Sequence, residues 1–439
     1  MSSDRHRAEI LLGAGTRSVA RGGGHLLSFA FYLLVTRLYG PGPAGIYVLS
    51  LTVWRIASLF ALLGTQESTV RFVAAGAGED GRMDVAGIRR RILLLVVPAS
   101  LIVSAVLWLL APVLAGRVFG ETALTTPFRL TAAAAPFAGA MAVNAACFRG
   151  LKKIAAYTLV QSILPSAIGL ALLVPLALWG PRTDSAPVLA YSAAMVTAGV
   201  LSFLLWHVLS RPRGGAPADT PSVSTVLRVS TPMLVTAGMH FVLNWTDAFM
   251  LGLFRTSEDV GIYRAAFRIA SLVTFAMEAV RSIAGPKIAQ LYWQGRSDEL
   301  RRAVQFSSRV VFAVALPCFL AILACPSLLM RMFGGVFAAG WPCLVLLACG
   351  QFVSASCGLV GIFLQMAGEQ KALRNITVCG AGANLLLNLL LIPLYGITGA
   401  AAATAFSTAL WNIMAARYAR KKFGFTVGMI GVAGAGGRG

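Results

Sequence analysis

The residues in this sequence that could do chemistry are few and lie among long apolar runs. Arg17, Arg21 and His25 stand at i, i+4 and i+8, and Ser28 and Tyr32 continue the stripe. That spacing puts them on one helical face. Arg55 sits between Thr52 and Ser58 in the next run. Further on, Arg264, Arg268, Ser271, Glu278 and Ser282 follow a second one-face spacing, and Thr236, His240, Asn244 and Asp247 a third. Guanidinium forks match phosphate oxygens bidentately. The chemistry expected of Arg17, Arg21, Arg55, Arg264 and Arg268 is therefore non-covalent capture of an anion, a phosphate or diphosphate, in a water-filled cavity. Asp247 and Glu278 are the deep carboxylates and the candidates for cation or proton coupling, with His25, His240 and Asn244 as further polar cavity residues. Each has a plainer alternative. Arg17, Arg37 and Arg264 lie near run ends and can snorkel to headgroups. Asp247 can pair with Arg264 or Arg268, the histidines can be packing residues, and Glu67 can pair with Arg71 at i, i+4.

Other chemistries lack their residues. The cysteines at 147, 318, 325, 343, 349, 357 and 379 have neither CxxC nor Cys/His ligand spacing and read as small packing residues. No GxxxxGK[ST] loop occurs, and Gly22-Gly-Gly24 lies inside an apolar run, where it allows close packing rather than phosphate binding. No cofactor, no metal and no enzymatic activity are expected.

These residues must be positioned by membrane helices. Of 439 residues, 57% are hydrophobic and 12% charged, with 37 basic against 16 acidic residues and a net charge of +21. Mean hydropathy is +0.77. A soluble domain carries about 25% charged residues. The composition is that of an integral membrane protein and excludes a cytosolic enzyme, a secreted disulfide scaffold and a soluble nucleic-acid binder. A span needs about 20 mostly apolar residues, and the apolar runs, several of them charge-free, read as twelve spans: 15–38, 43–66, 91–115, 128–149, 155–179, 186–209, 229–254, 260–286, 305–331, 338–367, 373–394 and 397–417. The first is too long for a signal peptide and has no cleavage site after it. With the N-terminus inside, 26 of the 37 basic residues fall on the inner side and 7 on the outer. The positive-inside rule then places both termini in the cytoplasm.

The halves echo each other. Gly45-Ile-Tyr47 recurs as Gly261-Ile-Tyr263, and Arg55-Ile-Ala-Ser-Leu59 as Arg268-Ile-Ala-Ser-Leu272. Six spans per half give a parallel repeat, a transporter architecture with substrate sites between repeats. The expected fold is all-α and membrane-integral: twelve transmembrane helices as two parallel six-helix lobes around a central cavity. The lobes are residues 1–210 and 223–422, the Pro/Gly-rich stretch 211–222 is a cytoplasmic linker, and 423–439 is a Gly-rich tail.

At these residues the sequence resembles the multidrug/oligosaccharidyl-lipid/polysaccharide exporter superfamily, and within it the polysaccharide transporters. The stretches that carry the likeness are GIYVLSLTVWRIASLFALLGTQESTVRFV from Gly45, NWTDAFMLGLFRTSEDVGIY from Asn244, Gly285-Pro-Lys-Ile-Ala289 and NLLLNLLLIPLYGITGAAAAT from Asn384. The resemblance implies a flippase for undecaprenyl-diphosphate-linked oligosaccharide repeat units, working by alternating access without ATP in the bacterial cytoplasmic membrane. Its partners would be the lipid-linked oligosaccharide, membrane lipids, a monovalent cation or proton, and other polysaccharide-assembly membrane proteins, with no nucleic acid. Arg17, Arg21, Arg55 and Arg268 match the helix and depth of cavity arginines in related lipid II flippases. Those flippases typically have fourteen spans, which sets the twelve here apart. A lipid II flippase and a cation-coupled multidrug antiporter of the same superfamily are the alternatives. A membrane-embedded glycosyltransferase or ligase is a third, disfavoured by the short outer loops.

Overall fold

The computed structural model describes residues 23–76, 84–180, 183–209 and 220–429, and every regular element among them is helical. Helix α1 covers residues 23–39. It is followed by α2 (Pro41–Leu62), α3 (Thr65–Gly76), α4 (Val85–Val113), α5 (Thr125–Gly150), α6 (Ile154–Thr158), α7 (Leu164–Trp179) and α8 (Ala186–Leu209). Local sequence sets their ends. Pro41 opens α2 at a position whose N–H would have no helical partner. Asp84 caps α4 by accepting from the Ala86 N–H at 2.9 Å. Pro112 precedes a π turn at Leu114–Val118 that prolongs α4. A second π turn, Leu159–Ile163, joins α6 to α7 ahead of Pro165. Prolines and π turns bend such helices without ending them.

The later helices are α9 (Val223–Phe254), α10 (Ser257–Ala270), α11 (Phe275–Trp293), α12 (Ser297–Ala324), α13 (Pro326–Arg331), α14 (Trp341–Cys357), α15 (Val360–Met366) and α16 (Gln370–Phe423). Among the described residues, eight helices are long and apolar enough to cross a membrane, nine with the bent α9. This makes a multi-pass membrane protein. Fewer helices pass than the twelve spans expected, for local reasons. The expected spans 373–394 and 397–417 lie in one 54-residue helix, α16, broken at Gly396 with φ 56° and ψ −131°. Glycine adopts that conformation far more cheaply than other residues. The expected span 260–286 is shared by α10, a 3₁₀ turn at Ser271–Thr274 and α11. Only part of the expected span 15–38 is described.

The chain divides into two compact units: Met1–Trp245 with Thr256–Gly261, and Thr246–Arg255 with Ile262–Gly439. Helix α9 and the turn into α10 are thus shared between them. In the first unit α5 is the central helix, packed by α2, α3, α4 and α8. Its buried run of Ala134, Ala135, Ala138, Gly139, Ala140 and Ala142 keeps the neighbours close, as small residues do in membranes. Toward the start of α4 the core turns to larger side chains, Phe72, Ile88, Ile92, Met141, Phe148 and Trp206. Elsewhere in the first unit the glycines of the two Gly-Ile-Tyr copies, Gly45 and Gly261, approach each other closely. A Cβ on Gly45 would lie 1.6 Å from the Ser257 carbonyl oxygen, and one on Gly261 2.3 Å from that of Pro41. The buried Tyr32 hydroxyl donates to the Gly261 carbonyl at 2.8 Å.

In the second unit α14 lies against α16 and α12. Phe352 of α14 stacks on Phe319 of α12 at 4.3 Å. After α16, Gly424 turns left-handed and Phe425 meets Phe363, ring centroids 5.5 Å apart. Gln305 donates to the Thr426 carbonyl at 3.3 Å, and the Met429 N–H to that of Ser356 at 2.9 Å. The start of the Gly-rich tail is therefore packed on this unit, while 430–439 lie outside the described residues. Most of the linker does too; at its end the Thr220 and Pro221 carbonyls accept from Arg91 at 3.2 and 2.8 Å.

Candidate functional site

The second unit buries one carboxylate in a polar nest. Asp247 of α9 is 5% exposed. Its Oδ2 accepts from the Tyr263 hydroxyl at 2.8 Å and the Thr404 hydroxyl at 2.7 Å. Its Oδ1 accepts from the Asn388 amide at 2.7 Å. The same amide donates to Asn384 Oδ1 at 3.0 Å, and the Asn384 amide to the Ser407 hydroxyl at 3.2 Å. All of these side chains are buried, and Asn388 Oδ1 meets no donor. Helix α16 brings the set together. Asn384 and Asn388, at i and i+4, share a face before the Gly396 break, and Thr404 and Ser407 come from beyond it. Three side-chain donors converge on this one carboxylate. One negative charge amid neutral amide and hydroxyl oxygens suits a monovalent cation or a proton. Among the described residues no group of three or more His, Cys, Asp or Glu could hold a metal.

This nest corrects the expectation that Asp247 could pair with Arg264 or Arg268: the carboxylate takes two hydroxyls and an amide instead. Arg264 lies over the Phe267 ring at 5.0 Å, and both arginines are half-buried. Glu278 takes a local partner. Its side chain is 72% exposed and pairs with Arg281 on its own helix at 3.4 Å. The 3₁₀ turn at Ser271–Thr274 ends the regular spacing that aligned Glu278 with Arg264 and Arg268 in sequence. Glu67 bridges to Arg149 of α5 at 2.7 Å rather than to Arg71.

In the first unit Arg55, on α2, is solvent-accessible. Its guanidinium lies over the Trp245 ring at 4.4 Å. Tyr47 and Tyr191, edge to face at 5.3 Å, stand nearby. Thr52 and Ser58 are turned back onto the carbonyls of Val48 and Arg55, each at 2.8 Å, and leave the guanidinium to its aromatic neighbour. A charge inside a membrane span faces a cavity or a partner, and a ring face stabilises a cation without neutralising it. His25 is exposed, Tyr32 at the end of its stripe is buried, and Asn244 is half-buried. Arg17 and Arg21 lie outside the described residues, as do the side chains of His240 and Thr236.

Sequence reasoning had singled out Arg55 and Asp247 but not their companions. Trp245, Tyr263 and Thr404 carry no charge to mark them. The available signal was the Asn384/Asn388 pair in a charge-free window.

Comparisons with known proteins agree with this architecture. Residues 10–283 match the family described as "Polysaccharide biosynthesis protein", and residues 232–390 match MatE. A probable low-salt glycan biosynthesis flippase, Agl15 of Haloferax volcanii, is 25% identical over 222 residues, 50% of this chain and 47% of that protein. The chain thus spans about half the length of this curated relative. The lipid II flippase MurJ in an inward closed conformation has the same fold, at TM-score 0.74 and 11% identity over 93% of this chain and 89% of that one. An inward-facing multidrug resistance MATE family transporter of the MOP superfamily shares it at TM-score 0.70 and 16% identity, over 94% and 98%. With more than half of its length inside that first match, the chain belongs to the polysaccharide biosynthesis protein family of the multidrug/oligosaccharidyl-lipid/polysaccharide exporter superfamily.

Proposed function

We propose that the protein is a transporter, not an enzyme: a flippase that carries a polyprenyl-diphosphate-linked oligosaccharide across the membrane by alternating access. Family membership and the flippase named among its relatives support this. The observation that carries it is Arg55, an accessible guanidinium within an apolar span, held on an indole face with its donors available to an anion. Arg17, Arg21, Arg264 and Arg268 complete the proposed cationic path for the diphosphate. The polyprenyl tail stays in lipid. The undecaprenyl carrier, the bacterial cytoplasmic membrane and cytoplasmic termini belong to the same proposal. The relative compared above is archaeal, and any polyprenyl-diphosphate sugar presents the same anionic group. The moving parts are the two six-helix lobes, 1–210 and 223–422, and other polysaccharide-assembly proteins supply and consume the substrate.

In this reading the Asp247 nest is the coupling site, loaded by a monovalent cation or a proton. Coupling requires that the ion bind the two transport states with different affinity. The test is transport of a lipid-linked oligosaccharide by the purified protein in vesicles. Arg55→Ala should abolish transfer while the protein still folds and inserts. Undiminished transfer by Arg55→Ala and Arg268→Ala would overturn the proposal. Efflux of cationic dyes with no oligosaccharide transfer would favour the multidrug antiporter.

A further inference from the structure

One arginine outside the proposed substrate path is built for a ligand. Arg89 lies near the start of α4, at the end of the first unit where α5 and α8 stop. Three side chains hold its guanidinium. Nε donates to Asn144 Oδ1 at 2.7 Å. The Phe203 and Trp206 rings stand 5.1 and 4.8 Å from its central carbon. Asn144 is itself fixed by donating to the Ser202 hydroxyl at 2.8 Å, and both are fully buried. Nη2 is buried without an acceptor, which leaves Nη1 as the nitrogen open to solvent. Arg90, one residue on, is exposed.

An arginine that only kept topology would need none of this. A free side chain serves the positive-inside bias equally well, and fixing a long side chain costs rotamer entropy. Holding a cation rigid, with one donor edge open, removes in advance the ordering cost of binding an anion. Basic pockets between membrane helices on the cytoplasmic side suit lipid phosphate groups. We propose that Arg89, oriented by Asn144, Phe203 and Trp206, is a phosphate-binding site between α4, α5 and α8, filled by the headgroup of an anionic lipid. It is separate from the substrate path and does not depend on the flippase reading.

The test is native mass spectrometry of the full chain, purified and titrated with phosphatidylglycerol against phosphatidylcholine. The wild type should retain phosphatidylglycerol preferentially. Arg89→Gln should lower that preference by roughly tenfold, the scale of one charge-assisted hydrogen bond, and Arg90→Gln should leave it intact. Arg89→Lys keeps the charge and serves if the glutamine variant misfolds. It should lose most of the preference, because an ammonium cannot lie flat against the rings and so is not held with a donor aimed outward. Displacement of the lipid by excess inorganic phosphate would support the phosphate site with a soluble occupant, and failure to displace it would support the lipid. Equal retention by the wild type and Arg89→Gln, or by the wild type and Arg89→Lys, would overturn the proposal.

Discussion

At the scale of single residues the most constrained group is Asp247. Its two oxygens take hydrogen bonds from three side chains, all within the second unit. Asp247→Asn keeps the shape and removes the charge. It also turns one acceptor into a donor facing Asn388 or the two hydroxyls, so at least one buried group loses its partner. The cost of one such loss is about 1–3 kcal/mol. We expect a lowered melting temperature and loss of any cation or proton dependence of transport, measured together in the same vesicles. Tyr263→Phe removes one donor of three and should show a smaller fall in both. A variant Asp247→Asn that transports with unchanged ion dependence would exclude the nest from coupling. Asp247 was legible in the sequence because a carboxylate in an apolar run stands out. Its surroundings were not, since Asn388 and Thr404 lie 141 and 157 residues away and nothing local ties them to it.

At the scale of elements, α16 shows how a break can be structural. Pro393 removes a donor, Gly396 takes the left-handed φ, and the carbonyls freed there are met by Arg255, which donates to Pro393 at 2.8 Å and Ile392 at 3.3 Å. Gly396→Ala should cost about 1–3 kcal/mol for the strained backbone, read as a fall in melting temperature. It should impair transport further, by shifting Thr404 and Ser407 relative to Asn384 and Asn388. The sequence marked this point through Pro393 and Gly396. It could not mark the 3₁₀ turn at Ser271–Thr274, which has neither Pro nor Gly, so the alignment of Glu278 with Arg268 looked regular. The far end of α16 is tied down by Glu369, which bonds Lys422 at 2.5 Å and Tyr418 at 2.6 Å. The Lys422 hydrogen bond, then that from Tyr418, holds the Glu369 carboxyl below its usual range. A lowered carboxyl pKa stabilises the fold above the unfolded-state value, and the effect fades as pH falls through the folded-state value. Glu369→Gln should therefore melt below the wild type at neutral pH and match it once the pH is well under 4.5, the ordinary value for this group.

At the scale of the whole chain, the +21 charge and the apolar composition are reconciled by where the charges lie along the sequence. The start of α4 and the end of α5, with the turn that follows it, gather Arg89, Arg90, Arg91, Arg149, Lys152 and Lys153 near one end of the first unit. Few basic residues flank the opposite ends of these helices: Arg117 and Arg129 lie there among the described residues. An excess of Lys and Arg in short connections fixes orientation at insertion, because those connections resist crossing. The crowded end should therefore be cytoplasmic. Since α16 ends in Arg417, Arg420, Lys421 and Lys422, the chain should also finish on that side. A reporter fused after Met429 tests this: green fluorescent protein should glow there and alkaline phosphatase should stay silent. Replacing Arg420, Lys421 and Lys422 with glutamine should not reverse the result, because the charge around α4 and α5 is set earlier in synthesis. A phosphatase-positive, non-fluorescent fusion would reverse the topology and put Arg89 on the outer face, where its proposed lipid would have to come from the opposite leaflet.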